Sequence, residues 1–592
     1  MVRLLYVFVL FVLMGCASWP PLLQEKIFPP SAPHIIVDDF SLLDQDGDFH
    51  QLSYYSDQKA IVLITQGNGC PIIRHQIGYL NQLKEQYEPL GVVFLMLNAN
   101  PQDDRQAIVK EAQEYGIQIP ILKDDAQIVA SQLSLTRTAE AIVIDPRNGS
   151  IVYRGAITDR MDYESQKNTD EHHYLRDQLD AILANKPVLL AQTPVKGCLI
   201  QIGDKDTARS TNYVQDVAPI LIEKCLLCHS PGAGAPWSME NYIKVRGWGP
   251  MIGEVVRTKR MPPWHADPQY GSFNDDLSLS PHQVHTLVRW VEQGMARGEG
   301  EDPLLKAPRP SKEFWPSGKP DLVYSIPVQD IPATGVLPYR IIEMTQPLQE
   351  DVWVKAVDLR PENKQVVHHA NVTASSPQGL AQEDFPSRTG LQVEGVGQVI
   401  ASYAPGYRPF VLPPDTGLFI PKGSRLTFWI HYVTTGKPEK DAVLLGLYLH
   451  RTPPPKPYIV DQISNKNFRI PPGDKHYKVR GEYRFAKDAL LYILVPHMHY
   501  RGRSMRFTAK YPNGKTEILL SVPNYKFPWQ RRYIFQEPKK IPAGTTMMAE
   551  GIYDNSTQNP LNPNPSQEVT FGQQSDDEMF SGFLGYTWEE RR

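Results

Sequence analysis

Cysteine is scarce in this sequence, with five residues in 592, and none of the five lies beyond Cys228. A disulfide framework is therefore excluded for the whole C-terminal half of the chain. The formal net charge is only −4, so there is no basic footprint for nucleic acid. Long apolar runs are also missing, apart from residues 4–15, and that run is too short to cross a membrane.

Proline and glycine, by contrast, are abundant. The chain contains 53 prolines and 40 glycines, which predicts many loops and short strands rather than long helices. At roughly 150 residues per domain, the length predicts about four domains.

The N-terminal apolar run has the pattern of an export signal. Arg3 precedes it, and Leu-Met-Gly-Cys at residues 13–16 resembles a bacterial lipobox, in which Cys16 is acylated after cleavage. An ordinary signal peptide with a chance cysteine is the alternative. Ala17 resembles the outer-membrane sorting pattern. We expect residues 1–16 to be removed or lipidated. The mature protein would then lie on the periplasmic side of the envelope, held at the outer membrane by lipid alone.

Residues 32–200 predict an α/β domain with a cysteine at a strand-to-helix turn. Apolar strands are expected at 61–65, 92–97 and 141–144. Cys70 lies near a predicted helix N-terminus, where the helix dipole lowers thiol pKa. The stretch resembles the redoxin branch of the thioredoxin fold, although Ile73 replaces the second cysteine of Cys-x-x-Cys. Cys70 and Cys198 are the redox-thiol candidates and could pair in an exported protein; a structural or docking role for Cys70 is the alternative.

The most specific motif is Cys225-Leu-Leu-Cys228-His229, within residues 205–302. This spacing is that of c-type haem attachment, with two thioethers and His229 as the proximal iron ligand. Helical patterns flank it at 214–224 and 281–295. The segment resembles small, all-α cytochrome c domains; half of a zinc site is the alternative.

The sixth haem ligand is less constrained by the sequence. Met261 precedes two prolines that would stiffen an extended loop, and it fits the His/Met pattern of the family that the segment resembles. Met239, Met251 and His265 are competitors.

Beyond a proline-rich linker at 303–320, alternating patterns predict an all-β region. Strands are expected at 426–432, 442–449, 490–495, 504–510 and 517–522. The stretch from Ile420 to Tyr432 is similar to that from Ile541 to Tyr553, at an offset of 121 residues. The repeat predicts two related β-sandwiches, at residues 320–455 and 456–592.

Each predicted sandwich contains a cluster of candidate metal ligands. The first set has only imidazoles and the second adds a thioether: His368, His369 and His431, then His497, His499 and Met579. His497 and His499 share a face if both lie on a strand, whereas the adjacent His368 and His369 need a bulge or a strand end. A thioether beside two imidazoles favours Cu(I) over zinc. Taken singly, each of these side chains would more often be structural.

In this order, the clusters resemble the ligand motifs of copper type II, ascorbate-dependent monooxygenases, which include the peptidylglycine α-hydroxylating and dopamine β-monooxygenases. The resemblance covers residues 320–592 and implies two jelly-roll-like domains. It also implies that the all-histidine copper transfers an electron and that the copper at His497, His499 and Met579 activates O2. Val495 replaces an arginine that holds the peptide carboxylate in the peptide enzyme, so a peptidylglycine substrate is not expected.

The sequence therefore predicts a multidomain copper monooxygenase with two coppers and one haem c. It would hydroxylate an sp3 C–H bond of a small substrate with O2, using electrons from a periplasmic donor passed through the fused haem. One alternative is a periplasmic electron-transfer or copper-binding protein without oxygenase activity. The other is a thiol or peroxide redox enzyme centred on Cys70.

Overall fold

The computed structural model describes residues 36–163, 165–167, 169–203, 210–309, 314–375 and 398–589. The predicted signal peptide and Cys16 lie outside these ranges. Within them, no helix is both long and apolar enough to span a bilayer.

The N-terminal part of the chain is built on one mixed sheet with helices on both faces. Its strands are β1 (Ser41–Asp44), β2 (Phe49–Gln51), β3 (Ala60–Gln66), β4 (Val92–Asn98), β5 (Ile121–Lys123), β6 (Glu140–Ile144) and β7 (Ile151–Ala156). Its helices are α1 (Pro71–Arg74), α2 (Ile77–Tyr87), α3 (Arg105–Tyr115), α4 (Ile128–Gln132) and α5 (Tyr174–Leu183), with 3₁₀ turns at Leu52–Tyr55 and Glu88–Leu90. The strand order is β2-β1-β5-β4-β3-β6-β7, with β3, β4 and β5 parallel. This arrangement confirms the predicted thioredoxin-like α/β fold.

The next segment, from Tyr213 to Lys306, has only helices as its described secondary-structure elements. It contains a π turn at Tyr213–Val217 and helices α6 (Ala218–Lys224), α7 (Tyr242–Gly247), α8 (Gly249–Arg257), α9 (Pro281–Glu292) and α10 (Pro303–Lys306). Helix α9 ends three residues before the predicted end at Met295, because Gly294 and Met295 both adopt positive φ angles. Helix α10 lies where a linker was predicted, and it packs there because Leu304 is fully buried.

The helical segment covers one face of the N-terminal sheet. Alternate residues of β3 point to opposite faces. Val62 and Ile64 pack in a core with α2, α3 and α5, whereas Ile61 and Leu63 belong to a core that continues into the helical segment, including Trp290. The two parts therefore share apolar packing and are not joined by a linker alone.

The remaining chain is all-β, as predicted, and its strands are arranged in two β-sandwiches. The first contains β8 (Leu322–Ser325), β9 (Gln329–Ile331), β10 (Arg340–Glu343), β11 (Val352–Pro361), β12 (Val367–Ala374), β13 (Gln398–Tyr403), β14 (Phe410–Val411), β15 (Thr416–Ile420), β16 (Leu426–Tyr432), β17 (Glu439–Asp441), β18 (Val443–Leu449) and β19 (Lys456–Pro457). Its main sheets are β10-β16-β12-β13 and β19-β15-β11-β18-β8. Because β19 pairs with β15, this sandwich extends to Pro457.

The second sandwich contains β20 (Ile459–Asn465), β21 (Arg469–Ile470), β22 (Tyr477–Arg484), β23 (Ala489–His497), β24 (Gly502–Lys510), β25 (Thr516–Val522), β26 (Tyr533–Ile541), β27 (Thr546–Tyr553), β28 (Val569–Thr570) and β29 (Phe580–Trp588). Its main sheets are β20-β29-β23-β26 and β22-β27-β24-β25. The repeated stretches become β16 and β27, and each is an inner strand of a four-stranded sheet.

The loop between α8 and α9 fastens the helical segment to the second sandwich. Asp267 N donates to Ser521 O (2.8 Å), Asn274 N to Ile534 O (2.7 Å), and Gln536 N to Ser272 O (2.9 Å). The same loop reaches the N-terminal domain, since Arg105 Nη1 donates to both carboxylate oxygens of Asp267 at 2.9 and 2.8 Å. Both side chains of this ion pair are buried.

Breaking this buried ion pair is expected to destabilise the assembly. Asp267→Ala leaves the Arg105 cation buried without its partner, which lowers the free energy of unfolding by about 3 kcal/mol. The double change Arg105→Met with Asp267→Leu should cost less, because no charge is left unpaired. Differential scanning calorimetry of the full chain measures both variants. Asp330→Ala, which breaks an exposed pair with Lys440, is the control and should change stability by less than about 1 kcal/mol.

Candidate functional site

Three histidines of the first sandwich converge on one point. His368 and His369 lie on β12 and His431 lies on β16, opposite them. The pairing of these strands shifts register between Val367 and His369. This irregularity allows two adjacent histidines to face the same point. One ring nitrogen from each of the three residues lies within 4.8 Å of the others.

The three imidazoles are uncharged and each has an unsatisfied nitrogen. Burial lowers the pKa of His368 and of His431 to about 4, and that of His369 well below the ordinary value. The Nδ1 atoms of all three are buried and have no hydrogen-bond partner among the residues that the structure describes. Tyr339 hydrogen-bonds Nε2 of His369 and stacks on His431 at a ring distance of 5.2 Å. Three neutral nitrogens without partners fit a metal ion, because metal binding requires deprotonated imidazole and buried polar atoms need partners.

The second cluster lies at the end of β23. Both histidines were expected on one strand, but the strand ends at His497 and His499 lies beyond it. The two imidazole rings nevertheless lie 5.3 Å apart. His497 Nδ1 bonds Gln530 Oε1 at 2.7 Å, and His499 Nδ1 bonds the carbonyl oxygen of Asp577 at 3.2 Å. Carbonyl oxygens only accept, so each Nδ1 carries the proton and each Nε2 keeps a lone pair for a metal.

A buried carboxylate fixes the backbone around the second cluster. The Glu578 side chain accepts the N–H groups of His499 (2.9 Å), Arg501 (2.6 Å) and Met579 (3.3 Å). Burial raises the pKa of Glu578 to about 8, against the lowering effect of these donors. The side chain therefore ties two predicted ligands, His499 and Met579, to one rigid support.

Both clusters open onto a single cavity of about 190 Å³ between the sandwiches. His369, His497, His499 and Met579 line it, together with many apolar side chains. Phe527 packs against both clusters, since its ring centroid lies 5.4 Å from that of His369 and 5.8 Å from that of His499. The structure thus brings all six predicted copper ligands to one region of the molecule.

The predicted haem-binding motif follows α6. Cys225 and Cys228 are free thiols, and His229 Nδ1 lies 3.0 Å from the carbonyl oxygen of Trp237. That bond leaves Nε2 of His229 as the lone-pair nitrogen, which fits a proximal iron ligand. The motif abuts the first sandwich, because a Cβ added to Gly406 would lie only 2.7 Å from Cys228 Sγ.

The candidates for the sixth haem ligand differ in their surroundings. Met251 is exposed, and its sulfur accepts a hydrogen bond from Arg260. Met239 is packed in the core. Met261 is half-buried. His265 is buried with Nε2 unpartnered. Met251 thus has the least suitable environment of the four.

Residues 527–532 connect the haem motif with both histidine clusters. Gln530 Nε2 lies 3.5 Å from His369 Nε2, and the backbone oxygen of Gln530 accepts the Tyr407 hydroxyl. Arg531 donates from Nε to Pro263 O at 3.0 Å, while its Nη2 is buried without a partner. Burial raises the pKa of the Cys228 thiol, and the nearby Arg531 charge offsets part of that rise. None of these residues stands in a recognisable motif, so sequence reasoning missed them.

The two remaining cysteines of the described chain face each other in the N-terminal domain. Cys70 is the N-cap residue of α1, and its Sγ lies 2.8 Å from Cys198 Sγ and 3.0 Å from Thr138 Oγ1. Burial alone would raise the pKa of the Cys70 thiol, but hydrogen bonds with Cys198 and Thr138 hold it below the ordinary value. Burial and the neighbouring Cys70 raise the pKa of Cys198 to about 11. The pair has the asymmetry of an attacking and a resolving thiol.

Comparison with known proteins identifies the N-terminal part. Residues 35–154 match the AhpC/TSA family. The chain is similar to the structure of an uncharacterized conserved protein from Geobacillus kaustophilus, with 31% identity over 30% of this chain and 93% of that chain and a TM-score of 0.26. It is also similar to Peroxidoxin BcpB from Mycobacterium tuberculosis, with 18% identity over 26% of this chain and 96% of that chain and a TM-score of 0.20. No curated protein matches the chain.

The match to the AhpC/TSA family supports an oxidoreductase domain of the redoxin type, and it favours thiol chemistry over copper chemistry. The haem and copper interpretations receive no support from the comparisons and depend on the residues alone. Residues 35–154 are therefore a thioredoxin-like domain of the AhpC/TSA family.

Proposed function

We propose that this chain is an exported, copper-dependent monooxygenase acting on an sp3 C–H bond of a small apolar substrate. The observation that carries the proposal is the opening of two buried clusters, three histidines and two histidines with a methionine, onto one apolar cavity. In the net reaction, the substrate and O2 take up two electrons and two protons, and they yield the hydroxylated substrate and water.

The donor sets favour copper over zinc. A thioether such as Met579 suits Cu(I) and is not a usual zinc ligand, and imidazole suits copper in either oxidation state. Copper at these sites would supply one-electron storage and O2 binding. The Nδ1 atoms of His368, His369 and His431 would hold one ion, and the Nε2 atoms of His497 and His499 the other.

The chain's own residues orient these ligands and exclude water. Gln530 and the Asp577 carbonyl fix the tautomers of His497 and His499, and Glu578 fixes the backbone of His499 and Met579. Such hydrogen-bond partners of ligands keep a site rigid and tune it. The apolar cavity walls would hold a C–H bond beside Met579 without competing water.

The packing of the haem motif supports an internal supply of electrons. Gly406 touches Cys228, the adjacent Tyr407 contacts Gln530, and Gln530 contacts His369 and His497. Arg531, beside Cys228, has an unpartnered buried N–H group that suits a haem carboxylate. A haem bound at Cys225 and Cys228 could thus take the place of a soluble reductant.

Thiol redox chemistry at Cys70 and Cys198 is a second candidate function. The 2.8 Å Sγ–Sγ distance and the AhpC/TSA match of residues 35–154 favour it. In that reaction a hydroperoxide oxidises the two thiols to a disulfide and is reduced to an alcohol and water. An external thiol would then reduce the disulfide.

Metal analysis of the purified protein tests the copper proposal. Wild type should bind two coppers, and Met579→Ala should retain one, because a ligand of the second site is lost. His431→Ala should also retain one, by loss of the first site. Met548→Ala, on the outer face of β27, is the matched control and should keep both ions. Zinc in place of copper, or no metal in wild type, would refute the proposal.

Electron transfer between haem and copper tests the role of residues 530 and 531. After photochemical reduction of the haem under anaerobic conditions, its reoxidation should be independent of protein concentration. Gln530→Ala should slow it at least about tenfold, since a contact to both clusters is lost. Arg531→Met should instead lower the haem potential, because a neighbouring cation is removed. Arg408→Gln, which removes an exposed charge, should change neither. Absence of any transfer in wild type would exclude the fused haem as the donor.

Peroxide turnover separates the two candidate functions. With hydrogen peroxide and dithiothreitol, Cys70→Ser should abolish any thiol-dependent turnover and His497→Ala should preserve it. Peptide mapping without reduction should find Cys70 linked to Cys198 after oxidation. Turnover that survives Cys70→Ser would rule out the thiol mechanism.

A further inference from the structure

A cationic side chain lines the apolar cavity without an acidic partner. Arg532, just before β26, borders the same cavity as His499 and Met579. Among the described residues, no carboxylate forms an ion pair with it. Asp275, whose charge acts on it, pairs instead with Arg408 at 3.4 Å.

Aromatic rings hold the Arg532 guanidinium in place. Its central carbon lies 4.3 Å from the Tyr407 ring centroid and 5.0 Å from that of Phe410. One N–H group donates to the backbone oxygen of Arg408 at 3.2 Å. A guanidinium has five N–H donors, so several remain for another acceptor. Stacked in this way, the group loses little freedom on binding a ligand.

Most of the surface that lines the cavity is apolar, although hydroxyl and amide side chains such as Ser402 and Gln573 also border it. Its walls include Val357, Leu412, Leu418, Val460, Ile493 and Phe583. A volume of about 190 Å³ is comparable with the ~150 Å³ of an apolar protein cavity that binds benzene. A ligand that fills this space would be apolar along its body and acidic where it meets Arg532.

We propose that the cavity binds an amphipathic organic carboxylate, with its carboxylate on Arg532 and its apolar body against the cavity walls. This inference rests on the proposed function for the assignment of that ligand as the substrate. The guanidinium fork matches a carboxylate with two parallel hydrogen bonds, which is the geometry that favours this anion. The apolar body would extend from Arg532 towards the side chains of His497, His499 and Met579.

Isothermal titration of the full chain with matched ligands tests the anion site. We use 4-phenylbutyrate and decanoate, each against its neutral amide. Wild type should bind at least one of the acids about tenfold or more tightly than its amide. Arg532→Met should remove this preference, and Arg532→Lys should retain part of it, because the charge stays but the fork is lost. Arg408→Gln, with a neighbouring exposed guanidinium removed, should behave as wild type.

Several outcomes would overturn the proposal. These are equal affinities for acid and amide in wild type, no binding of either acid, and an acid preference that persists in Arg532→Met. If Arg532→Met does not fold, the proposal is tested by comparing acid and amide binding in wild type and in Arg532→Lys. The titrations are repeated after copper removal. The preference for the acid should persist, because Arg532 is not one of the proposed copper ligands. An acid preference in protein that never binds copper would support the anion site and refute only the monooxygenase.

Discussion

The stretch from Phe527 to Arg532 is the constraint on which the candidate centres depend. Phe527 packs against both histidine clusters, and Gln530 contacts one member of each. Arg531 contacts the loop between α8 and α9 through Pro263, and Arg532 borders the cavity. Six consecutive residues thus fix the spacing between sites contributed by three parts of the chain. A displacement of this loop would alter every centre at once, because each centre contacts it.

Much of the architecture could be predicted because it depends on local patterns. Continuous apolar runs gave strands such as β3 and β4, and alternation gave β16 at the expected residues. The repeat indicated two sandwiches before any pairing was known. The apolar pattern predicted too long a helix at α9. The positive φ angle of Gly294 helps to end this helix early.

The site was harder to predict, because its geometry arises from pairing and packing between distant segments. From the sequence, adjacent His368 and His369 were expected to share a metal only at a bulge or a strand end. Only the pairing of β12 with β16 shows where the register shifts. No sequence spacing indicates a role for Gln530, Tyr339 or Arg532, because their partners lie on other elements of the fold. Glu578 stood beside a predicted ligand, yet its three backbone donors become visible only when the loop after β23 is folded.

The covering of β26 has a consequence for dividing this chain into fragments. Strand β26 is the edge of its sheet, and residues 272–274 of the helical segment satisfy part of its open backbone. Exposed strand edges are templates for pairing with other molecules. A fragment that begins at the first sandwich would present this edge to solvent and would tend to aggregate. The helical segment thus covers an edge that the sandwiches cannot cover by themselves, and recombinant truncations are best designed to retain it.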